Sequence, residues 1–514
     1  MIRAARPAAF GAAPQGTQYV RRMLCFGSTT MRRVYPSGPV APRLATVDEA
    51  TTPSGWPRHA PRAERRAAGK EARAALPLAD LAEAGSADRD PVDVVSAGDV
   101  DRLPWLVPIR YGRMAASPFA FFRGAAGLMA HDAAGLPRSG LEVQLCGDAH
   151  LLNFGVYGSP ERALVFDLND FDETLPGPFE WDVRRLVASM VVAARSRGLK
   201  PKRQREVAQL AAQRYRTAMA ELAEASALES WYAQIEVDAR IPEIADEDWR
   251  RYAERVAERA RGKDHLQAVS RFTEVVDGAR RIVAEPPLIV PLRDISYMLP
   301  VDDVEGLIRS AFLQYRDSVR DDVRVLLDRY TYVDSAVKVV GVGSVGTRCV
   351  IVLMQGADEN DLLFLQIKEA RPSVLEPHLG RSAYGHPGQR VVAGQRLMQS
   401  ASDAFLGWAD GPLGRHYYWR QLRDWKGSAE VEKMDGKLLG LYGMLCGWTL
   451  AKAHARSGDR VAIAAYMGSS ERFEEALVEY AVAYADRTEA DHAALLEAVR
   501  EGRIEAAADD EADG

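Results

Sequence analysis

The sequence predicts an α+β protein of two lobes, one large and mostly helical, the other a small antiparallel sheet. Three observations predict it. Apolar residues recur at helical spacing through the 181–261 stretch, as at Leu186, Met190 and Ala193. The run AVKVVGVGSVGTRCVIVLMQGADENDLLFLQIKEA, ending at Ala370, is instead rich in Val and Ile, and glycines and a polar GADEND turn punctuate it. From His386 onward the helical pattern returns, with one strand-like interruption at His416–Leu422.

Composition sets the bounds. The chain has 514 residues, of which 47% are hydrophobic and 27% charged, and a formal charge of −6, as expected of a globular protein of several structural units. The near-neutral charge carries no basic footprint for nucleic acid, and no apolar run reaches the ~20 residues of a membrane span. Cys25, Cys146, Cys349 and Cys446 are widely spaced with no CxxC pair, which speaks against a thiolate zinc site or a disulfide framework and fits a reducing cytoplasm.

Residues 1–59 read as a leader. Residues 1–47 hold no Asp or Glu but seven arginines, among them Arg3, Arg6 and Arg43. Transit peptides share that composition. Its Pro, Gly and Ala favour a disordered segment, or one upstream of the true start at Met23 or Met31.

Residues 60–330 are expected to form the helical large lobe, beginning with an Ala/Arg/Glu-rich helix over about 60–84. A further helix is expected to start at Ser117-Pro118, within RYGRMAASPFAFFRGAA. Short strands and loops fill 141–172, long helices follow Trp181, and 300–330 is again helical. Residues 331–425 form the sheet lobe, 426–500 return as helices, and 501–514 are an acidic, frayed tail.

Two clusters carry chemistry. The first is LCGDAHLLNFG (Leu145–Gly155) with ALVFDLNDFDET (Ala163–Thr174). An Asp, an Asn five residues on, and another Asp beyond a strand suit phosphoryl transfer to a hydroxyl. Asp148 would orient the acceptor, with His150 in the same loop, while Asn153 and Asp170 would hold Mg²⁺; Asp167 is the alternative to Asp170. Such residues also satisfy their own backbone in ordinary turns. The second cluster is GVGSVG (Gly341–Gly346). A dinucleotide site requires a helix directly after the glycines, but TRCVIVLM follows, which reads as a strand. A glycine loop between strands suits a phosphate-covering flap instead, with Gly341, Gly343, Ser344 and Gly346 against the phosphates and Lys368 reaching them from the third strand. The competing reading of Lys368 is an edge-strand lysine.

These residues resemble a known group. GDAHLLN is similar to the G-D-x-H-x-x-N catalytic loop of the aminoglycoside phosphotransferase and choline kinase group, within the protein-kinase-like superfamily. DFDETLPGPFEWD (Asp170–Asp182) is similar to its D-F-G-D…Y-D stretch. Cys146 stands where a His commonly precedes the Gly-Asp pair, and Asp172 stands for the Gly of D-F-G. The resemblance implies a two-lobed protein-kinase-like fold that uses ATP and Mg²⁺. The order of parts implies circular permutation, since the catalytic loop precedes the flap and lysine. LCGWTLAKAHARSGD (Leu445–Asp459) resembles the helix that usually runs into the catalytic loop. The Glu that usually pairs with the strand lysine has no counterpart in QRVVAGQRLMQSAS (Gln389–Ser402). Over about 60–460 the chain also resembles the bacterial domain of unknown function 2252 family, through RYGRMAASPFAFFRGAA, VQLCGDAHLLNFG, FDLNDFDETLPGPFEWDVRRL, QRLMQSASDAFLGW and RQLRDWKGSAEVE.

The expectation is an ATP- and Mg²⁺-dependent phosphotransferase acting on a small-molecule hydroxyl, with no nucleic-acid or membrane partner. A nucleotide-binding pseudokinase is the alternative, and a metal-dependent phosphohydrolase using Asp167, Asp170, Asp172 and Glu173 is the third reading. Arg113 and Arg123 are candidates for binding an anion. Arg420, Arg423, Asp424 and Lys426 fall where the chain leaves the sheet lobe, and His454 reads as a core histidine.

Overall fold

The computed structural model describes residues 48–51, 57–58, 60–86, 88–263, 265–295, 304–339, 345–422 and 425–507. Its architecture is α+β with antiparallel sheets. Of the leader, Asp48–Thr51 pairs with Pro57–Arg58; the rest of 1–59 lies outside the described residues.

Helix α1 (Arg62–Ala75) opens the large lobe. Helix α2 (Pro118–Gly124) starts as its sequence predicts, with Ser117 Oγ accepting from Ala120 N at 3.1 Å and Pro118 in the first turn. Four short strands follow: β1 (Glu142–Leu145), β2 (Phe154–Gly158), β3 (Leu164–Leu168) and β4 (Leu175–Pro178). β1 pairs with β4 and β2 with β3, both antiparallel. That nesting lays the β1–β2 loop beside the β3–β4 loop, and Asn169 N donates to Asn153 O at 2.9 Å between them.

Helices α3 (Phe179–Ser196) and α4 (Pro201–Glu224) form the core of this lobe. The predicted 181–261 helical region is interrupted: Gly198, at φ +66°, ends α3, and a short strand at Ile235–Glu236 extends the β2–β3 sheet.

The sheet lobe has six antiparallel strands among the described residues. Its helices α5 (His265–Phe272) and α6 (Val304–Ser318) cover strands β5 (Ile289–Pro291), β6 (Thr331–Lys338), β7 (Cys349–Gln355) and β8 (Leu362–Ala370). Helix α7 (Pro387–Met398) then leads to β9 (Gly407–Asp410) and β10 (His416–Gln421). The strand order is β5-β6-β7-β8-β10-β9. Alternation along β8 sends Leu363, Leu365 and Ile367 into the core with Tyr315 of α6, and Phe364 into the core with Phe272 of α5. Lys368 lies two pleats beyond Phe364 on the same face. The described segments 265–295 and 304–327 thus pack with the sheet, so the helical lobe expected over 60–330 ends near Gly262. Helical periodicity shows that a segment is amphipathic, not which core it covers.

After β11 (Gly427–Ser428), which pairs with β2, helix α8 (Gly436–Ser457) returns to the large lobe against α4. A Cβ at Gly447 would lie 2.3 Å from Ala211 O, so only glycine lets the helices approach this closely. Helix α9 (Arg472–Arg500) packs on α3. The start of the predicted tail is anchored, with Ala507 N donating to Pro108 O at 2.9 Å; residues 508–514 lie outside the described residues.

Candidate active site

The β1–β2 loop, residues 146–153, is held from behind. Asp182, in the first turn of α3, accepts from Cys146 N at 2.7 Å and Gly147 N at 3.0 Å. His454 Nε2 of α8 lies 3.2 Å from the same carboxylate, and its Nδ1 lies 2.8 Å from Tyr215 OH. His454 is therefore a core histidine, as its apolar surroundings suggest, and it also fixes the group that shapes the loop. Gly147 takes φ +86°, and a Cβ there would lie 2.4 Å from Glu173 O. Cys146 Sγ lies 3.4 Å from Asp170 O, tying this loop to the next.

Asp148 projects from the loop and is clamped by Arg185 of α3, whose Nε and Nη2 lie 2.8 and 2.7 Å from Oδ1. Burial raises its carboxyl pKa, against the pull of Arg185 and then Arg123. Asn153 Nδ2 donates to Asp148 O at 2.9 Å and Asp170 O at 3.3 Å, which leaves its Oδ1 as an acceptor. Asp170 is the most open carboxylate here, 41% exposed, with Oδ1 accepting from Asp172 N at 3.1 Å. Asp148, Asn153, Asp170, Asp172, Glu173 and Arg123 line one cavity of about 360 Å³.

Lys368 reaches this cluster from β8. Its Nζ lies 2.7 Å from Asp172 Oδ2 and 3.9 Å from Asp170 Oδ2, and Tyr418 OH, across on β10, donates to Asp172 Oδ1 at 2.7 Å. Burial alone would lower the lysine pKa, but Asp170 and Asp172 outweigh it and raise it well above the usual value. Lys368 is therefore a buried, paired cation rather than an edge-strand lysine. No acid on α7 pairs with it, and its carboxylate partner is Asp172. α7 contributes Arg390 instead, which donates to the carbonyls of Thr174, Asp172 and Arg371 at 2.6–2.8 Å and braces the loop carrying Asp170.

The remaining predicted residues are placed as follows. Asp167 lies apart from the cavity, paired with Lys452 of α8 at 2.6 Å and 1% exposed. His150 is buried, its Nε2 lies 3.7 Å from Asp148 Oδ2, and burial followed by Arg185 lowers its pKa well below the usual value, so it is neutral. Gly341, Gly343 and Ser344 lie outside the described residues, as do Arg423 and Asp424. Gly346, at φ +90°, accepts from Leu103 N at 2.7 Å and packs against Arg102, so this end of the glycine loop is pinned to the large lobe. Sequence reasoning missed Arg185, Arg390 and Lys452. Each is a helix cation whose partner lies far along the chain, and no local pattern marks it.

On the same face of β8 as Lys368, Lys338, Gln366, Gln395, Gln399, Arg420 and Lys426 line a second cavity of about 700 Å³ between the lobes. Arg420 Nε donates to Gln366 at 2.8 Å. Lys426 is held down to about 7, first by Arg420 and then by burial. Two cations pressed together in this way favour a bound anion.

A family model described as "Uncharacterized protein conserved in bacteria (DUF2252)" matches residues 102–498. No curated protein and no solved structure matches the chain.

Proposed function

The chain belongs to the DUF2252 family of bacterial proteins, and we propose that it is a Mg²⁺- and nucleotide-dependent phosphotransferase of circularly permuted, protein-kinase-like design, acting on a small hydroxyl acceptor. The observation that carries this reading is the meeting of Lys368 with Asp170 and Asp172 beside Asp148 and Asn153. These are the groups that phosphoryl transfer to a hydroxyl needs, the acids and Asn153 lining one cavity and Lys368 reaching two of those acids from the other lobe.

Two features of the architecture support it. Strands β6, β7, β8, β10 and β9 lie side by side in that order, with α7 between β8 and β9 in the chain, which suits a nucleotide lobe whose third strand carries the phosphate-binding lysine. Permutation is supported at the join: Gln144 N donates to Ser457 Oγ at 3.1 Å, so the end of α8 abuts the strand leading to Asp148 although the chain is not continuous there.

In this reading Asp148, clamped by Arg185, orients the acceptor hydroxyl and takes up its proton. Lys368 contacts the phosphates, and Arg420 and Lys426 add positive charge towards them. Asn153 Oδ1 and Asp170 are hard oxygen donors that fit Mg²⁺, which would neutralise phosphate charge. Arg123 lines the same cavity, and Asp148 is the first carboxylate to act on it. An acceptor with an anionic group would find its counter-charge there.

The phosphohydrolase reading fits less well. Asp167 is taken up by Lys452, Asp172 by Lys368 and Tyr418, and Glu173 accepts from Val374 N at 2.7 Å, which leaves Asp170 as the open carboxylate of that set. The pseudokinase reading rests on α7, which presents Arg390 rather than an acid.

The test is thermal unfolding with and without Mg-ATP for the wild type, Lys368→Ala and Asp170→Asn. A ligand at ~100 times its Kd adds ~2.7 kcal/mol to the native state. The reading requires a shift in the wild type that both variants lose. No wild-type shift at millimolar nucleotide would overturn it. A shift without transfer to any acceptor would favour the pseudokinase.

A further inference from the structure

We propose that His386, Asp410 and His416 form a binding site for a divalent transition metal, zinc by its ligand chemistry, that fastens the start of α7 to the β9–β10 hairpin. The three side chains come from separate elements, and their donor atoms lie within 4.8 Å of one another. Asp410 and His416 are directly opposite across β9 and β10, so they project from one face. His386 caps α7 above them, and the two imidazole centroids are 4.5 Å apart.

The spacing suits a small tetrahedral ion. With metal–ligand bonds of about 2.0–2.2 Å, ligands on a tetrahedron lie about 3.3–3.6 Å apart. His386 Nε2 is 3.3 Å from Asp410 Oδ1, and His416 Nδ1 is 2.7 Å from the same oxygen.

A second observation points to a ligand. His386 Nε2 is buried and makes no hydrogen bond despite its position beside the carboxylate. The hydrogen-bonding network leaves this nitrogen unused, and a metal would use it. Binding moves the ring proton to Nδ1, which now accepts from Gln389 N at 3.2 Å. That cap is then lost, one helix-end contact against three metal bonds. Two imidazoles and one carboxylate favour zinc over Mg²⁺, whose preferred ligands are oxygens. Water completes the fourth position.

The position gives the site a structural role. Gly388, whose Cβ would lie 2.4 Å from Tyr417 O, already brings the helix start tightly onto β10. Two residues further on, Arg390 braces the loop that carries Asp170. Metal at His386 would therefore stiffen the link between the sheet lobe and the Asp170 loop. The site itself does not depend on the phosphotransferase reading.

The experiment is calorimetric titration of the full-length, chelator-stripped protein with Zn²⁺, repeated with Co²⁺ to read tetrahedral coordination from its visible absorption. The variants are His416→Gln, Asp410→Asn and the His386→Gln/His416→Gln pair, with metal-free melting curves to establish that each folds. The expected result is one saturable equivalent that excess Mg²⁺ does not displace and that raises Tm. Each single variant should weaken binding beyond the ~10–100-fold cost of removing a supporting partner. Absence of saturable binding by the wild type, or unchanged binding in the double variant, would overturn the proposal. The second result would point to another pair, such as His131 and His378, whose rings are 5.8 Å apart.

Discussion

Lys368 Nζ and Asp172 Oδ2 lie 2.7 Å apart, although 196 residues separate them in the chain, and Tyr418 OH holds the other oxygen of the same carboxylate. In the proposed kinase-like reading, one departure from the pattern, Asp for the glycine of D-F-G, answers the other, the missing glutamate on the helix after the lysine strand. Removing one member of a buried pair leaves an uncompensated charge and costs ~3–5 kcal/mol. Asp172→Gly should therefore lower stability by about 3 kcal/mol in urea unfolding and abolish the Mg-ATP shift. The double variant Lys368→Met/Asp172→Leu should recover much of the stability without recovering nucleotide binding, a separation that a double-mutant cycle measures.

Asp148 and Asp170 should separate chemistry from binding. In the proposed reading Asp148→Asn removes the proton acceptor, so it should lower turnover by ~10²–10⁴-fold while leaving the Mg-ATP melting shift intact. Asp170→Asn should weaken that shift itself. Measuring both readouts on both variants checks the assignment.

Lys426 should make nucleotide affinity depend on pH. Its pKa is about 7 in the free protein, against ~10.4 for an unperturbed lysine. Below about 7 the group is charged and helps to hold a polyanion. Above that value the free protein must take up a proton to do so, and affinity falls as pH rises through neutrality. For stability the sign is opposite: this lysine disfavours folding at low pH, and the penalty fades from pH ~7 towards ~10. Binding titrations across that range should show a steeper loss in the wild type than in Lys426→Met.

Asp182 acts on Asp148 through the loop backbone. Asp182→Ala would leave the amides of Cys146 and Gly147 without their buried acceptor, at ~1–3 kcal/mol for each unsatisfied group. The expected result is a lower Tm and slower turnover, with the Mg-ATP shift largely kept because Asp170 and Lys368 are untouched. Gly147→Ala, which would press a Cβ onto Glu173 O, should behave in the same way.

Much of the site was legible because its parts are local. Asp148 and Asn153 share one loop, Asp170 lies near the start of the next, and Lys368 stands out as a cation in an apolar strand. The register of the Asp170–Asp182 stretch favoured Asp170 over Asp167 but left Asp167 as an alternative. Both lie near the end of one strand, and only Lys452, 285 residues away, takes Asp167 out of the cavity. The lobe boundary was misplaced for a related reason, since α5 and α6 carry the amphipathic signature of any surface helix and only packing shows that they cover the sheet.

By itself, the sequence determined the α+β class, the start of the helix at Ser117-Pro118, the change to strands after Tyr332, and the residue types at the centre of the candidate site. Capping, turn chemistry and hydrophobic period act over a few residues, and the chain carries them wherever it goes. Only the tertiary structure decided the charge partners: Asp172 for Lys368, Arg185 for Asp148, Lys452 for Asp167, and His386 with Asp410 and His416. A buried charge must find its counter-charge in space, and the shared cores that place sheet and helices together set that distance, whatever the separation along the chain.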